Sequence, residues 1–120
     1  MRDHRRLRVF HNADELVLLV YELAGLMPDD ELYGLTSQMK RSAVSVAVNI
    51  VEGCGRGTNR DFRRFLYNSS GSIRETGYHL DLAVKLGFLP KEKVDTAQTK
   101  IAQTSRQLAA LIKHLNTTLD

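Results

Sequence analysis

The stretch that decides the fold is residues 35–53, which read LTSQMKRSAVSVAVNIVEG. On a helical wheel its apolar side chains cover about 220° of the circumference, well beyond the single stripe by which a surface helix packs on one core. We therefore expect this helix to face its own bundle on one side and a neighbouring subunit on the other. The alternative is a central helix covered by a long loop of the same chain. The residues predicted at the subunit interface are Val44, Ala47, Val48 and Val51.

The remaining arc of this helix is polar, and its members recur at steps of three and four residues. Glu52 lies in the last predicted turn, where a negative charge opposes the helix dipole, so we expect a basic partner from Arg56 or Arg60. Gly53 is suited to a left-handed helix end. The polar residues form either a structural clasp for the turn or a small polar site. They are Gln38, Arg41, Asn49, Glu52 and Arg56.

Three further amphipathic segments flank this one, separated by the two prolines and by the glycine cluster of residues 53–57. No alternation of the kind that indicates a strand competes with them. Four helices with short connections in one domain of 120 residues most economically form an antiparallel up-down-up-down bundle. We therefore predict an all-α fold, with a four-helix bundle over residues 10–117 and a basic N-terminal arm over residues 1–9.

Local signals predict where individual helices begin and end. Asn12 has capping-box spacing to Glu15, which places the start of the first helix near Asn12. Thr58 has the same spacing to Asp61 and predicts the start of the third helix. Gly87 and Pro90 predict the end of that helix.

The third helix gathers arginines and tyrosines on the side opposite its apolar stripe. Guanidinium groups neutralise phosphates, and tyrosine rings offer stacking surfaces to unpaired bases, so this side is a candidate nucleic-acid interface. The alternative is that the charges solvate an exposed face while the tyrosines pack at a subunit contact. The candidate residues are Arg60, Arg63, Arg64, Tyr67, Arg74, Tyr78 and Lys85.

The charges are segregated along the chain, although the net charge is only +3. Residues 9–39 contain six acidic side chains and no lysine or arginine, whereas residues 40–74 contain seven basic side chains and two acidic ones. Such a distribution favours a polyanion bound on one surface, or a basic patch that meets an acidic patch on a second subunit.

The sequence offers little support for catalysis, metal binding or a membrane span. Cys54 is the single cysteine and cannot form an internal disulfide, and the four histidines are too scattered for a metal site. The glycine loop lacks the lysine and serine that end a phosphate-binding Walker loop. No apolar run approaches the ~20 residues of a membrane helix. We therefore expect a soluble cytoplasmic protein that is not an enzyme and needs no cofactor or metal.

Several short motifs occur in the order and spacing of a known family. The chain resembles the bacterial four-helix-bundle family encoded in intervening sequences of 23S ribosomal RNA genes, often labelled S23 ribosomal protein, over residues 10–115. The motifs are Leu32-Tyr33-Gly34-Leu35, residues 38–43, residues 49–53, Arg56, residues 61–66, Gly71-Ser72 and Glu75.

The resemblance implies an antiparallel four-helix bundle that assembles as a ring-like homo-oligomer, typically a pentamer. It also implies no known enzymatic activity and a suspected role in binding nucleic acid. A similar bundle is the accessory protein of diversity-generating retroelements, where it is basic and associates with nucleic acid and a reverse transcriptase. The positions that match the family are Gln38, Arg41, Asn49, Glu52, Gly53, Arg56, Phe62, Phe65, Leu66, Gly71, Ser72 and Glu75.

Together these features predict a non-enzymatic homo-oligomer that presents arginine and tyrosine side chains to RNA or DNA. The alternative is a structural scaffold whose basic side binds acidic residues 14–31 of a neighbour or another protein, without nucleic acid. A third interpretation is an enzyme that uses Asn49, Glu52 and Arg56.

Overall fold

The computed structural model describes residues 2–118, and this part of the chain contains four α-helices and no β-strand. They are α1 (Arg8–Ala24), α2 (Leu35–Cys54), α3 (Asn59–Lys85) and α4 (Lys91–Asn116). Short 3-10 helices at His4–Arg6 and Asp29–Glu31 precede α1 and α2. The predicted all-α four-helix fold is confirmed.

Each helix packs against the next along the chain, and α1 also packs against α4, so the helices enclose one core. Between α2 and α3, Ser42 meets Thr76 whereas Val46 meets Ser69, so residue numbers rise along one helix and fall along the other. The contacts that join α4 to α1 and to α3 follow the same order. These neighbours are therefore antiparallel, in a bundle that measures 48 × 23 × 20 Å.

The core consists mainly of aliphatic side chains contributed by all four helices. Burying one such side chain completely stabilises the fold by roughly 1.5–3 kcal/mol relative to leaving it exposed. The largest fully buried apolar side chains are Phe62, Leu16, Met39, Ile50, Leu66, Ile73, Leu80 and Leu108.

Both predicted ends of α3 are confirmed. The Thr58 hydroxyl accepts a hydrogen bond of 3.1 Å from the Asp61 backbone N–H, which satisfies one of the free donors at the start of the helix. At the other end Gly87 has φ 78°, a left-handed conformation that glycine adopts without steric cost. The Phe88 N–H then bonds back to the Ala83 carbonyl at 2.9 Å and closes the helix.

The predicted start of the first helix is wrong, because α1 begins at Arg8 and Asn12 lies inside it. The Asn12 side chain does not cap the helix but crosses to α4. Its amide donates to the Gln107 side-chain oxygen at 2.7 Å and its oxygen accepts from Lys100 Nζ at 3.0 Å. Asn12 therefore serves helix packing, while the boundary between an arm of residues 1–9 and the bundle stays a prediction.

The N-terminal segment is tied to the turn between α2 and α3. The Arg2 backbone N–H donates to the Cys54 carbonyl at 2.9 Å, and the Arg2 guanidinium lies 4.3 Å from the centroid of the Phe62 ring. The same guanidinium donates to the side-chain oxygen of Asn59. Arg2 therefore links the carbonyl end of α2 to the first residues of α3.

The sequence predicted that Gly53 ends α2 in a left-handed conformation. This prediction is wrong, because the helix continues to Cys54. The role of Gly53 is close packing. A Cβ atom at this position would lie 2.9 Å from both Phe62 Cδ1 and Phe65 Cβ. Only glycine lets the first turn of α3 approach the last turn of α2 so closely.

The seam between α2 and α3 is lined by small hydroxyl side chains in addition to apolar ones. Buried Ser69 donates to the Val46 carbonyl at 2.7 Å, and Ser45 and Ser72 bond to each other at 2.8 Å. Hydroxyl groups removed from water need hydrogen-bond partners, and these hydroxyls have theirs on the facing helix. The bonds fix the register of α2 against α3.

Candidate nucleic-acid interface

One long side of α3 is exposed and carries basic and aromatic side chains along its whole length. Six of the seven predicted ligand residues lie on this side, and the two tyrosines, Tyr67 and Tyr78, are 57% and 60% exposed. We call this surface the basic face. It comprises Arg60, Arg64, Tyr67, Arg74, Tyr78 and Lys85.

Arg63, the seventh predicted residue, turns towards α4 instead. It is half-buried, and its Nη1 donates to the Leu115 carbonyl at 2.9 Å. This carbonyl belongs to the last turn of α4, where the helix leaves acceptors unsatisfied and favours a positive charge. Arg63 therefore stabilises a helix end, and we leave it out of the basic face.

An open cleft of about 730 Å³ lies at the N-terminal end of α3. Three of its eight lining residues are arginines and one is acidic. A cleft with this positive balance of charge favours an anion. The residues that line it are Gly57, Thr58, Arg60, Asp61, Arg63, Arg64, Tyr67 and Asn68.

Asp61 and Phe65 hold the side chains of Arg56 and Arg64 in place. Arg64 pairs with Asp61 at 2.9 Å and Arg56 pairs with the same carboxylate at 3.7 Å. Both guanidinium groups also lie over the Phe65 ring, at 4.5 and 4.6 Å from its centroid. The predicted pairing of Glu52 with Arg56 or Arg60 is therefore wrong, and Glu52 makes no ion pair within residues 2–118.

Three basic side chains of the basic face have no such partner. Within residues 2–118, Arg60, Arg74 and Lys85 make no side-chain hydrogen bond, ion pair or contact with an aromatic ring, and all three are exposed. Their charges are consequently available to a ligand without the loss of an existing contact.

The polar side chains of α2 that the sequence grouped together do not form one hydrogen-bonded cluster. The Asn49 side chain donates to the Ser45 carbonyl at 2.8 Å and to the Ser45 hydroxyl at 3.0 Å, so it is occupied within its own helix. Gln38 and Arg41 are exposed and make no side-chain bond to the described residues. The clasp or polar site proposed for this arc stays a prediction.

A buried polar cluster, not recognised in the sequence, joins α2 to α3. Ser42 bonds His79 Nδ1 at 3.1 Å, and the Thr76 hydroxyl lies 2.9 Å from the Ser42 hydroxyl. The Glu75 carboxylate is 3.9 Å from His79 Nε2. Serine, histidine and glutamate occur in this order in some hydrolases, but Ser42 is only 5% exposed and a substrate cannot reach it. We assign the cluster to helix packing.

His79 should make stability depend on pH. Burial lowers the pKa of the imidazole below its ordinary value, and the nearby Glu75 carboxylate opposes this shift only in part. The unfolded chain therefore binds this proton more readily than the folded chain does. The contribution of neutral His79 to the free energy of unfolding is fully present above pH ~6.5, and it is lost as the pH falls towards the lower pKa that His79 has in the folded chain. Urea unfolding between pH 5 and 8 measures this. We expect a smaller pH dependence in His79→Gln, and an unchanged slope would contradict the assignment.

A second surface, on the outer side of α1 and α2, is apolar. Val48 and Val51 are 44% and 36% exposed, and Val44 is half-buried. Tyr21, Val44 and Val48 line a groove of about 400 Å³ together with Lys40, Arg41 and Ser45. Ala47 lies in the core at 9% exposure, so we leave it out of this surface, and its place at a subunit interface stays a prediction. A helical wheel drawn from the sequence shows that both sides of α2 are apolar, but it cannot show which of them packs within the bundle. We call the surface formed by Tyr21, Val44, Val48 and Val51 the valine strip.

Metal-binding and membrane-spanning features were sought in the same part of the chain. Within residues 2–118, no group of three or more histidine, cysteine, aspartate or glutamate side chains is arranged to hold a metal ion. No helix in this range is long and apolar enough to cross a bilayer. The Cys54 thiol is buried, and burial raises its pKa.

A family model and a solved structure match this chain. The family model described as 23S rRNA-intervening sequence protein matches residues 5–110. A solved structure of a protein of unknown function from the S23 ribosomal protein family of Bacteroides thetaiotaomicron superposes with a TM-score of 0.81. It is 22% identical, and the match covers 88% of this chain and 98% of that one, so it supports the fold alone. No curated protein matches the chain.

Proposed function

The chain belongs to the 23S rRNA-intervening sequence protein family, and from this premise we propose that it is a non-enzymatic homo-oligomer that binds RNA or DNA. The basic face supplies the ligand surface and the valine strip supplies the contact between copies. The expected subunit count is five, as the family resemblance implies.

The observation that carries the nucleic-acid proposal is the set of uncommitted charges on the basic face. Arg60, Arg74 and Lys85 are exposed and unpartnered within residues 2–118, so binding phosphates costs them no existing ion pair. Two exposed tyrosines lie among them on the same helix. Phosphate contacts release counterions and therefore supply most of the affinity of such surfaces.

The valine strip supports association of copies. Three valines of α2 and a tyrosine of α1 leave apolar area exposed, and three of these side chains line one groove. Apolar surface of this kind usually marks a protein contact. A second copy that covers it would also bury the apolar circumference of α2.

Salt dependence tests the nucleic-acid proposal. If three side chains of one copy contact phosphates of a single strand, log affinity falls with log salt by a slope of about 2, or roughly 15–20-fold between 50 and 200 mM salt. Fluorescence anisotropy with a labelled oligonucleotide measures this slope. No binding even at 50 mM salt would refute the proposal.

Charge reversal locates the site. Arg60→Glu with Arg74→Glu should weaken binding at least about hundredfold at 50 mM salt, because two attractive contacts become repulsive. The matched control is Arg106→Glu with Lys113→Glu, which changes the net charge equally on an exposed side of α4. Equal losses in the two double variants would show that only net charge matters. Both variants should keep the mass of the unaltered oligomer in light scattering.

The rival function, a scaffold without nucleic acid, rests on the segregated charges. Asp29 and Asp30 are exposed beside Leu32 and Tyr33, and Tyr33 is 95% exposed. This acidic and apolar end could meet the basic face of another copy. The charge-reversal variants also test it, since the double change on α3 would then dissociate the oligomer.

A further inference from the structure

The two tyrosines of the basic face lie in line along α3. They are eleven residues apart, which is about 16 Å along the helix axis and only about 20° apart around it. Tyr67 and Tyr78 are both more than half exposed. Each ring therefore offers a surface on the same side of one helix.

One exposed position of α3 between the two rings carries no side chain. Gly71 is exposed, and a Cβ atom placed on it would have no neighbouring atom within 4 Å. Glycine inside an exposed helix costs about 1 kcal/mol relative to alanine, and the contacts within one copy give no packing reason for it. The gap leaves room for a flat group to approach the backbone between Tyr67 and Tyr78.

Unpartnered cations alternate with these rings. Arg74 lies between Tyr67 and Tyr78, while Arg60 precedes the first ring and Lys85 follows the second. The order of these groups along the helix is therefore cation, ring, gap, cation, ring, cation, with Arg64 before the first ring and the exposed carboxylate of Asp81 between the second ring and Lys85. A polymer that alternates flat rings with negative charges matches the rings and the cations in chemistry.

On the basis of the proposed function, we infer that the basic face is selective for single-stranded nucleic acid. Unpaired bases stack on Tyr67 and Tyr78, the strand crosses the bare backbone at Gly71, and the three cations contact the phosphates. A duplex has no free base to offer, because its bases are already stacked inside the helix. It would keep only the phosphate contacts.

The test compares one labelled 12-nucleotide strand of mixed sequence, alone and annealed to its complement, in fluorescence anisotropy at 50 mM salt. The single strand should bind at least about tenfold more tightly. Tyr67→Ala and Tyr78→Ala should each weaken single-strand binding by about tenfold and leave duplex binding unchanged, since loss of one stacked base has an effect of this order. Tyr67→Phe is the matched control, because it keeps the ring and should bind as the unaltered protein does.

Gly71→Leu provides an independent variant. Leucine favours the helix, so the variant should fold, but its side chain fills the gap and should weaken single-strand binding by about tenfold. Thermal unfolding and light scattering of every variant report fold and assembly. Equal binding of strand and duplex, with no effect of the tyrosine variants, would overturn the inference and leave the proposed function standing. If the tyrosine variants instead dissociated the oligomer, the rings would belong to a contact between copies, and the inference of single-strand selectivity would be overturned.

Discussion

Replacing Gly53 by alanine should destabilise the protein by about 1–3 kcal/mol, the usual cost of forcing extra volume into a packed core. The substitution would ordinarily be favourable, because alanine is the better helix former and Gly53 lies inside α2. Here the new methyl group would lie 2.9 Å from a ring carbon of Phe62 and from Cβ of Phe65. The Phe65 contact is the harder to relieve, because Cβ moves only with the backbone.

Gly71→Ala is the matched control for this experiment. It makes the same change inside α3, but at an exposed position with no atom within 4 Å of the new methyl group. It should therefore stabilise the protein by about 0.5–1 kcal/mol. Urea unfolding of the two variants should show shifts of opposite sign. Stabilisation by Gly53→Ala would mean that the α2 and α3 backbones separate readily, against the packing described above.

Val48→Asp should convert the proposed oligomer into single, folded chains. Val48 is 44% exposed in one copy, so aspartate there remains in contact with water and should change the stability of an isolated chain by less than about 0.5 kcal/mol. At a contact between copies the same carboxylate would lose its contact with water, at a cost of several kcal/mol. Association should weaken at least about hundredfold.

Light scattering of the variant at micromolar concentration measures this effect. Leu86→Asp is the matched control, since Leu86 is 54% exposed just after the end of α3 and lies outside the valine strip. It should leave the assembly intact. If Val48→Asp kept the mass of the unaltered protein, the valine strip would not be the contact between copies.

The sequence predicted the helices well because hydrophobic periodicity and end signals are local. Thr58 and Gly87 act within a few residues of their own positions, and both ends of α3 follow from them. The same kind of signal failed at Asn12, because the residues before it also continue the helix and its side chain binds α4. Local spacing cannot show which partner a polar side chain finds across a bundle.

The candidate site was predicted in outline for a similar reason. A wheel assigns the exposed side of α3 correctly, and six of seven residues lie there. It cannot show that Arg63 reaches the end of α4, or that Arg56 binds Asp61 and Phe65 in place of Glu52. These contacts depend on how the turn between α2 and α3 folds back. The buried partners of His79 depend on the register between α2 and α3, and the hydrophobic periodicity of the sequence carries no information about that register.

The hydroxyl bonds between α2 and α3 have a mechanical consequence. Apolar helices can slide past one another at modest cost, whereas Ser69, held to the Val46 carbonyl, would lose a directional bond on any slip. The valines of the valine strip lie on one of these helices and the basic face on the other. In the proposed oligomer, a pull on a bound strand would therefore pass to the neighbouring copy without slip between α2 and α3, which suits a protein that anchors its ligand better than one that relays a change of shape.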